Sequence, residues 1–308
     1  MCVVYVLLCR YDGLTVRAVR KRCQIESFAT VISQLIPAGS AGSKQLHIVD
    51  FGCGTGNLCL ALAHLFPQCI FTAVDMNARS VLLLQQRASS CGLTNISGVT
   101  GRIEDFDEPF DIAVALHACG VATDYALHKA QVCRAAYIMC PCCIGKLKFG
   151  LKLKPNNGSC GGEGGGQSSC HDITHPRSQW LSEALRDASN LMEPNTTPTS
   201  SSIDGGNRGE PSNHSPDDLF AAMARAGDIS HGEAHSDGTA GKTHLHAHEA
   251  RLCKGHLELD RNMCMREQGY RTAMLRLIQA ELTGKSDLLV GAPTETLAAG
   301  NLMFPWEE

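Results

Sequence analysis

His47-Ile48-Val49-Asp50-Phe51-Gly52-Cys53-Gly54-Thr55-Gly56-Asn57 reads as a short buried strand that runs through an acidic residue into three glycines at alternate positions, and then into a helix. Glycine is needed where the backbone turns sharply and a ligand must approach without a Cβ in the way. The helix beyond the loop offers unpaired N–H groups to that ligand. A dinucleotide fingerprint, G-x-G-x-x-G/A, would require Gly or Ala at position 57. The residue there is Asn57, and Gly56 comes one position early. A second acidic residue, Asp75, ends the next apolar strand, where a carboxylate accepts hydrogen bonds from ribose hydroxyls. Nicotinamide enzymes use that position too, so Asp75 alone does not separate the cofactors.

On either side of this stretch, short β-rich runs alternate with helical patterns. Helices are expected at Val19–Leu35 (ended by Pro37), Asn57–Phe66 (stopped by Pro67), Asn77–Cys91 (closed by Gly92), Thr123–Val132, Gln179–Leu191 and Arg251–Gln268. Strands are expected at His47–Phe51, Ile70–Asp75, Ile96–Thr100, Phe110–Leu116, Ala135–Met139, Tyr270–Leu277 and Asp287–Ala292. Apolar strands alternating with helices imply an α/β domain whose mostly parallel sheet is covered on both faces. The closing helix–strand–strand implies an antiparallel strand at or near the edge. The organisation expected is an N-terminal segment and helix over 1–45, a ligand-binding core over 46–148 and a long, disordered, low-complexity insertion with short helices over 149–248. A C-terminal helix and strand pair over 249–293 completes the core, and 294–308 is a tail.

The D-x-G-x-G-x-G spacing from Asp50 to Gly56 resembles motif I of S-adenosylmethionine-dependent methyltransferases. That resemblance implies a Rossmann-like class I fold and S-adenosyl-L-methionine as cofactor. It places Asp50 near the methionine amino group and Asp75 on the ribose. It further implies cofactor contacts from Gly52, Gly54, Gly56, Asn57, Met76, Ile103, Glu104 and Leu116. The bland alternatives are a structural partner of loop amides for Asp50 and a solvated strand end or helix cap for Asp75. Methyltransferases usually present an acidic residue after the third strand. Here Arg102 stands at that place, so backbone near Ile103 or the Glu104 side chain would take the role.

Two further runs narrow the family. Leu116-His117-Ala118-Cys119-Gly120-Val121-Ala122-Thr123-Asp124 follows the fourth strand, and Cys140-Pro141-Cys142-Cys143 follows the fifth. Together they resemble the methyltransferase domain of the glutathione S-transferase C-terminal domain-containing family. More distantly they are similar to tRNA 2′-O-methyltransferases carrying H-x-C-G-x-A-T-D. Leu257-Glu258-Leu259-Asp260-Arg261 and Gly269-Tyr270 extend the first resemblance. No glutathione-transferase-like region precedes the domain here, as expected of a stand-alone form or of a truncated start.

Ligands in parallel α/β sheets sit outside the carboxyl ends of the strands, where both runs fall. His117 has the pKa for a base that would take a proton from a ribose hydroxyl. Asp124 would orient His117 or cap the following helix. Cys119, Gly120, Cys142 and Cys143 are expected to shape the substrate pocket. Cys119, Cys140, Cys142 and Cys143 with His117 match a zinc count, but C-x-C-C is poor spacing for a tetrahedral site, so no metal is expected. The implied substrate is RNA, a tRNA ribose first. A cofactor-binding scaffold without transferase activity, acting through protein partners, is the rival from another class.

Composition agrees with a globular enzyme and excludes little more. The 308 residues carry 44% hydrophobic and 19% charged side chains with a net charge of −4, which excludes wholesale disorder and argues against a strongly basic nucleic-acid binder. Aromatics at 5% leave little for base stacking. Sixteen cysteines, several inside apolar runs, read as buried thiols of a reduced protein rather than a disulfide scaffold. Met1–Cys9 is apolar but too short to span a bilayer and lacks a basic flank. A soluble, cytoplasmic protein without membrane attachment is expected. Arg17, Arg20, Lys21 and Arg22 read first as a solvated helix face and second as phosphate contacts. His231, His235, His244, His246 and His248 lie in a Gly- and Ser-containing stretch with no rigid frame for a metal.

Overall fold

A computed structural model describes residues 15–37, 45–116, 118–141, 144, 147, 173–191, 215–228, 240–278 and 287–306. Helix α1 (Val16–Leu35) begins three residues before the expected start because the Thr15 side chain caps it, accepting from the Ala18 N–H. There follow β1 (His47–Phe51), α2 (Cys59–Leu65), β2 (Ile70–Asp75), α3 (Ala78–Ser90), β3 (Ile96–Thr100), β4 (Ile112–Leu116), α4 (Val121–Cys133) and β5 (Ala136–Cys140). The second half contributes α5 (Gln179–Leu191), α6 (Pro216–Ala226), α7 (Ala240–Glu267), β6 (Tyr270–Arg276), β7 (Asp287–Pro293) and α8 (Thr294–Ala298).

The seven strands form one sheet in the order β3-β2-β1-β4-β5-β7-β6. Pairings from β3 through β5 are parallel, and β7 runs antiparallel to both β5 and β6. This is the Rossmann-like architecture expected, with the antiparallel strand one in from the edge. The chain winds outward from β1 to β3 and then returns to place β4 on the other side of β1. That reversal opens a crevice at the carboxyl ends of β1 and β4.

Alternation of side chains along each strand builds two cores. Ile48, Ile112, Val114, Ile138 and Val290 face α1 and α2, packing on Phe28, Ile32 and Leu62. Val49, Ala113, Ala115, Tyr137, Met139 and Leu289 face the other way, toward Leu127 of α4 and Met265 of α7. On this second face the Tyr137 hydroxyl donates to Asn262 Oδ1 at 2.8 Å. The ring lies where a side chain at Gly291 would stand, since a Cβ there would fall 2.4 Å from Tyr137 Cε1.

Part of the region expected to be a low-complexity insertion is folded. α5 lies where the pattern placed it; α6 was not anticipated, and α7 starts eleven residues ahead of Arg251. Leu181 and Leu185 of α5, Phe220 and Ala224 of α6, Leu257 of α7 and Ile144 and Leu147 beyond β5 close a third core.

A buried charge cluster fastens α7 to the start of β7. Lys254 Nζ lies 2.7 Å from Glu258 Oε1 and also pairs with Asp287. Burial pushes the Glu258 carboxyl up to about 8, and its hydrogen bond with Asp287 adds to this against the pull of Lys254. For Asp287 burial acts upward as well, but the Lys254 ammonium outweighs it and the carboxyl sits below its usual range. The two shifts run in opposite directions, so Glu258 holds its proton to higher pH than Asp287.

Two outcomes follow for stability. Gly291→Ala drives a methyl into a fully buried ring and should lower unfolding free energy by about 1–3 kcal/mol in urea titrations; an unchanged midpoint would show that the β5–β7 contact is looser than described. Glu258 binds its proton more tightly folded than unfolded. Its contribution is therefore full below the unfolded value of about 4.3 and drains away as pH rises toward the folded value. Glu258→Gln should gain stability relative to wild type across that window, and parallel pH profiles for the two proteins would contradict the protonated assignment.

Candidate cofactor crevice and the turn after β4

The glycine loop is a hinge of backbone bonds anchored on β2. Gly52 and Cys53 donate their N–H groups to Val74 O at 2.9 and 3.1 Å. Gly52, Gly54 and Gly56 all hold positive φ, at 75°, 53° and 81°, which explains the need for glycine at alternate positions. At Gly56 a Cβ would also fall 2.9 Å from Leu60 and Leu84. Arg87 of α3 completes the frame through the Thr55 carbonyl, with weaker contacts to Thr55 Oγ1 and Asn57 Oδ1 at 3.4 Å.

Asp75 joins this loop directly. Its Oδ2 accepts from the Gly54 N–H and its Oδ1 from the Asn77 N–H, each at 2.8 Å. Its backbone carbonyl accepts from Gly101 N at 3.1 Å, which draws the segment carrying Ile103 and Glu104 to the same edge. Glu104 is engaged by Arg102 there. Met76, beside Asp75, is 75% exposed, an unusual position for a large apolar side chain on a strand end. Leu116 closes β4 and is partly buried against the first core.

Asp50 is buried between these parts. Burial pushes its carboxyl up to about 7, hydrogen bonds from the Cys59 thiol and N–H oppose this, and the Asp75 charge adds to it. Asp50 Oδ2 has no hydrogen-bond partner among the described residues. A buried acceptor left open beside a glycine cradle fits a ligand cation with N–H donors. Most of the residues anticipated as cofactor contacts thus gather along one edge, at the ends of β1 to β4.

His117, Cys142 and Cys143 lie outside the described residues. The remainder of the 116–124 run forms a tied turn. Thr123 Oγ1 donates to Ala118 O at 2.6 Å. Gly120 takes φ 60° and ψ −129° ahead of α4, and Cys119 is half-buried. Asp124 is fully buried. Its hydrogen-bond partners are Arg261, through Nε at 3.0 Å and Nη2 at 2.9 Å, and His175 Nε2 at 3.2 Å, and Arg177 Nε adds a longer ion pair at 3.9 Å. Burial alone would raise this carboxyl, but the Arg261 guanidinium and then His175 outweigh it and hold Asp124 well below the usual range.

Sequence reasoning gave no role to Arg261, Asp260 or His175. Asp260 accepts from Arg177 N, Ser178 N and Ser178 Oγ at 2.8, 2.8 and 2.6 Å, which seats residues 175–178 on the same turn of α7. The available signal was the charged run Glu258-x-Asp260-Arg261 interleaved with Leu257, Leu259, Met263 and Met265. Of the basic cluster on α1, Arg22 pairs with Glu26 at 2.7 Å while Arg17 and Arg20 are exposed. His231 and His235, and the side chains of His244 and His246, lie outside the described residues. No helix among the described residues is long and apolar enough to cross a membrane.

Comparison with known proteins places this geometry. Residues 20–149 match the family model of a methyltransferase domain. The human glutathione S-transferase C-terminal domain-containing protein is 36% identical over 129 residues, which cover 42% of this chain and 19% of that protein. A homologue from Drosophila pseudoobscura pseudoobscura is 28% identical over 275 residues, 89% of this chain and 37% of its own length. The chain spans about a fifth of the length of the first of these relatives. A ribosomal RNA small subunit methyltransferase G from Francisella philomiragia is 37% identical over 86 residues, 28% of this chain and 42% of that protein. Among solved structures, magnesium protoporphyrin IX methyltransferase from Synechocystis, with bound SAH, is similar with a TM-score of 0.42 and 13% identity, covering 92% of this chain and 90% of that one. Residues 20–149 thus match a methyltransferase domain model and are similar to part of the glutathione S-transferase C-terminal domain-containing proteins.

Proposed function

We propose that the protein is an S-adenosylmethionine-dependent methyltransferase, and that its substrate is RNA, with a tRNA ribose hydroxyl as nucleophile. The observation that carries the cofactor reading is the bond from Gly54 N to Asp75 Oδ2. It joins the glycine cradle and the strand-end carboxylate at the reversal of the sheet. Each Asp75 oxygen keeps acceptor capacity beyond its backbone bond, enough for the two ribose hydroxyls. Asp50, with its open Oδ2, would hold the ammonium of the methionine moiety. Exposed Met76 would lie on the adenine, and Ile103, Glu104 and Leu116 would line the crevice with it.

When bound, the cofactor supplies a methyl group on a positively charged sulfur. His117, just past the end of β4, would take the proton of the attacking hydroxyl, and holding that hydroxyl in line supplies much of the rate. Asp124 acts on this loop through its fold. Cys119, Gly120, Cys142 and Cys143 would form the substrate side. The RNA reading rests on the resemblance of the 117–124 run.

A second reading, a cofactor-binding scaffold working through protein partners, is favoured by one contact. Arg102 pairs with Glu104, so the carboxylate available for adenine after β3 is already neutralised.

Calorimetry with S-adenosylmethionine, S-adenosylhomocysteine and NADH should show micromolar binding of the two sulfur compounds alone. Asp75→Ala should weaken it about 10- to 100-fold, the loss of one or two hydrogen bonds to a charged acceptor. No binding of either sulfur compound to wild type removes the enzyme reading. Binding without transfer of labelled methyl to any RNA or protein pool selects the scaffold. Asp50 must lose its proton to face a cation, so affinity should rise as pH increases from about 6 toward 8, and Asp50→Asn should flatten that rise. A pH-independent wild type would remove Asp50 from the ammonium site.

A further inference from the structure

The turn after β4 is held by a residue that lies 141 positions further along the chain. Arg261 Nη2 donates to Gly120 O and to Asp124 Oδ2, both at 2.9 Å, while Nε donates to Asp124 Oδ1 at 3.0 Å. Arg261 and Asp124 are 2% and 0% exposed. The planar guanidinium is what allows this pattern, because two of its edges reach a carboxylate and a carbonyl at fixed angles. A lysine ammonium, a point donor on a flexible stem, cannot reproduce it. Thr123 ties the other side of the turn by its bond to Ala118 O. Between these two ties lie Ala118, Cys119 and Gly120, at the carboxyl end of β4.

A fold-holding ion pair would need only the Asp124 contact. The additional bond to Gly120 O, at a residue with φ 60°, acts on the shape of the loop itself. We propose that Arg261 is a positioning residue for methyl transfer: it sets the backbone of Ala118–Gly120, and through it the place of the neighbouring catalytic and substrate-contacting groups. This rests on the methyltransferase reading above. It also gives the C-terminal helix a part in the reaction, beyond completing the sheet. The cofactor cradle at Gly52–Gly56 is framed by β2 and α3 and does not depend on Arg261.

The test uses the full chain in two forms. Arg261→Lys keeps the charge and loses the fork. The double variant Asp124→Asn with Arg261→Gln removes both charges of the pair together, so that neither is left buried facing the other's empty place, as a merely fold-holding pair would require. Both should bind S-adenosylmethionine within about threefold of wild type, a difference of well under 1.4 kcal/mol. Both should speed amide hydrogen exchange across Ala118–Ala122 by about tenfold or more. Single-turnover transfer of labelled methyl to total tRNA should fall by about 100-fold, with the cofactor KM unchanged. Wild-type exchange and transfer in the double variant would overturn the proposal and leave Arg261 as the counter-ion of Asp124. If wild type transfers methyl to no tRNA, the RNA reading fails by itself, while loop exchange in the same variants still decides whether Arg261 sets the turn.

Discussion

The buried pair between Asp124 and Arg261 is the contact on which the second half of the molecule depends. Neither charge tolerates the interior alone, and removing one partner of such a pair costs about 3–5 kcal/mol. The two residues are separated by 137 positions, so the buried surroundings of α4 are completed by α7. The same helix leads into β6 and β7 at the edge beside β5. Asp260, adjacent to Arg261, then seats residues 175–178, and α5 follows into the third core with Leu181 and Leu185. The described residues between β5 and α7 are therefore held by both polar contacts with α7 and the apolar third core.

The two sides of the crevice are built differently. On the β1–β3 side the framework is local: Gly54 reaches Asp75 across 21 residues, and Arg87 reaches Thr55 across 32. On the β4–β5–β7 side the framework comes from α7 and the residues before α5, more than a hundred positions away or on the far side of a low-complexity stretch. A cradle of local bonds can hold its shape regardless of events in the C-terminal region. The turn that carries Ala118 to Gly120 cannot. This division matches a domain in which one side keeps a constant ligand and the other is adapted to a particular acceptor.

The same division explains how much could be read from the sequence. The alternating glycines and the strand-end acids are short-range constraints, and the central strands β1, β2, β4 and β5 were legible because their apolar residues are nearly contiguous. Arg261 was not, because the buried stripe of α7 carries Lys254, Glu258 and Arg261 at helical spacing, a pattern that ordinarily marks a solvated face. Their burial follows from partners supplied by Asp287, Gly120 and Asp124, which no local window contains. α6 was missed for another reason. Ser215-Pro216-Asp217-Asp218 is a capping box with proline at the first helical position, but it ends a run of Pro, Ser and Asn whose composition suggests a loop. Its apolar contribution, chiefly Phe220 and Ala224, becomes meaningful only against Leu257.

Four carboxyls, three of them buried and Asp287 partly so, divide by the company they keep. Asp124 and Asp287 face Arg261 and Lys254 and stay ionised, each outweighing the cost of burial through a cation at hydrogen-bond distance. Asp50 and Glu258 are pushed up to about 7 and about 8 by burial, and each also feels the charge of a second carboxylate, Asp75 or Asp287. Glu258 has Lys254 beside it, yet that cation is shared with Asp287 and cannot hold two charges in the interior. Among the described residues no cation neighbours Asp50, and its partners are the thiol and backbone amide of Cys59. Supplying a cation to Asp50 would therefore draw off its proton, just as Arg261 keeps Asp124 charged. On the proposed reading, in which a ligand ammonium meets Asp50 beside the glycine cradle, binding and proton release would be coupled by the same electrostatics that hold Asp124 charged.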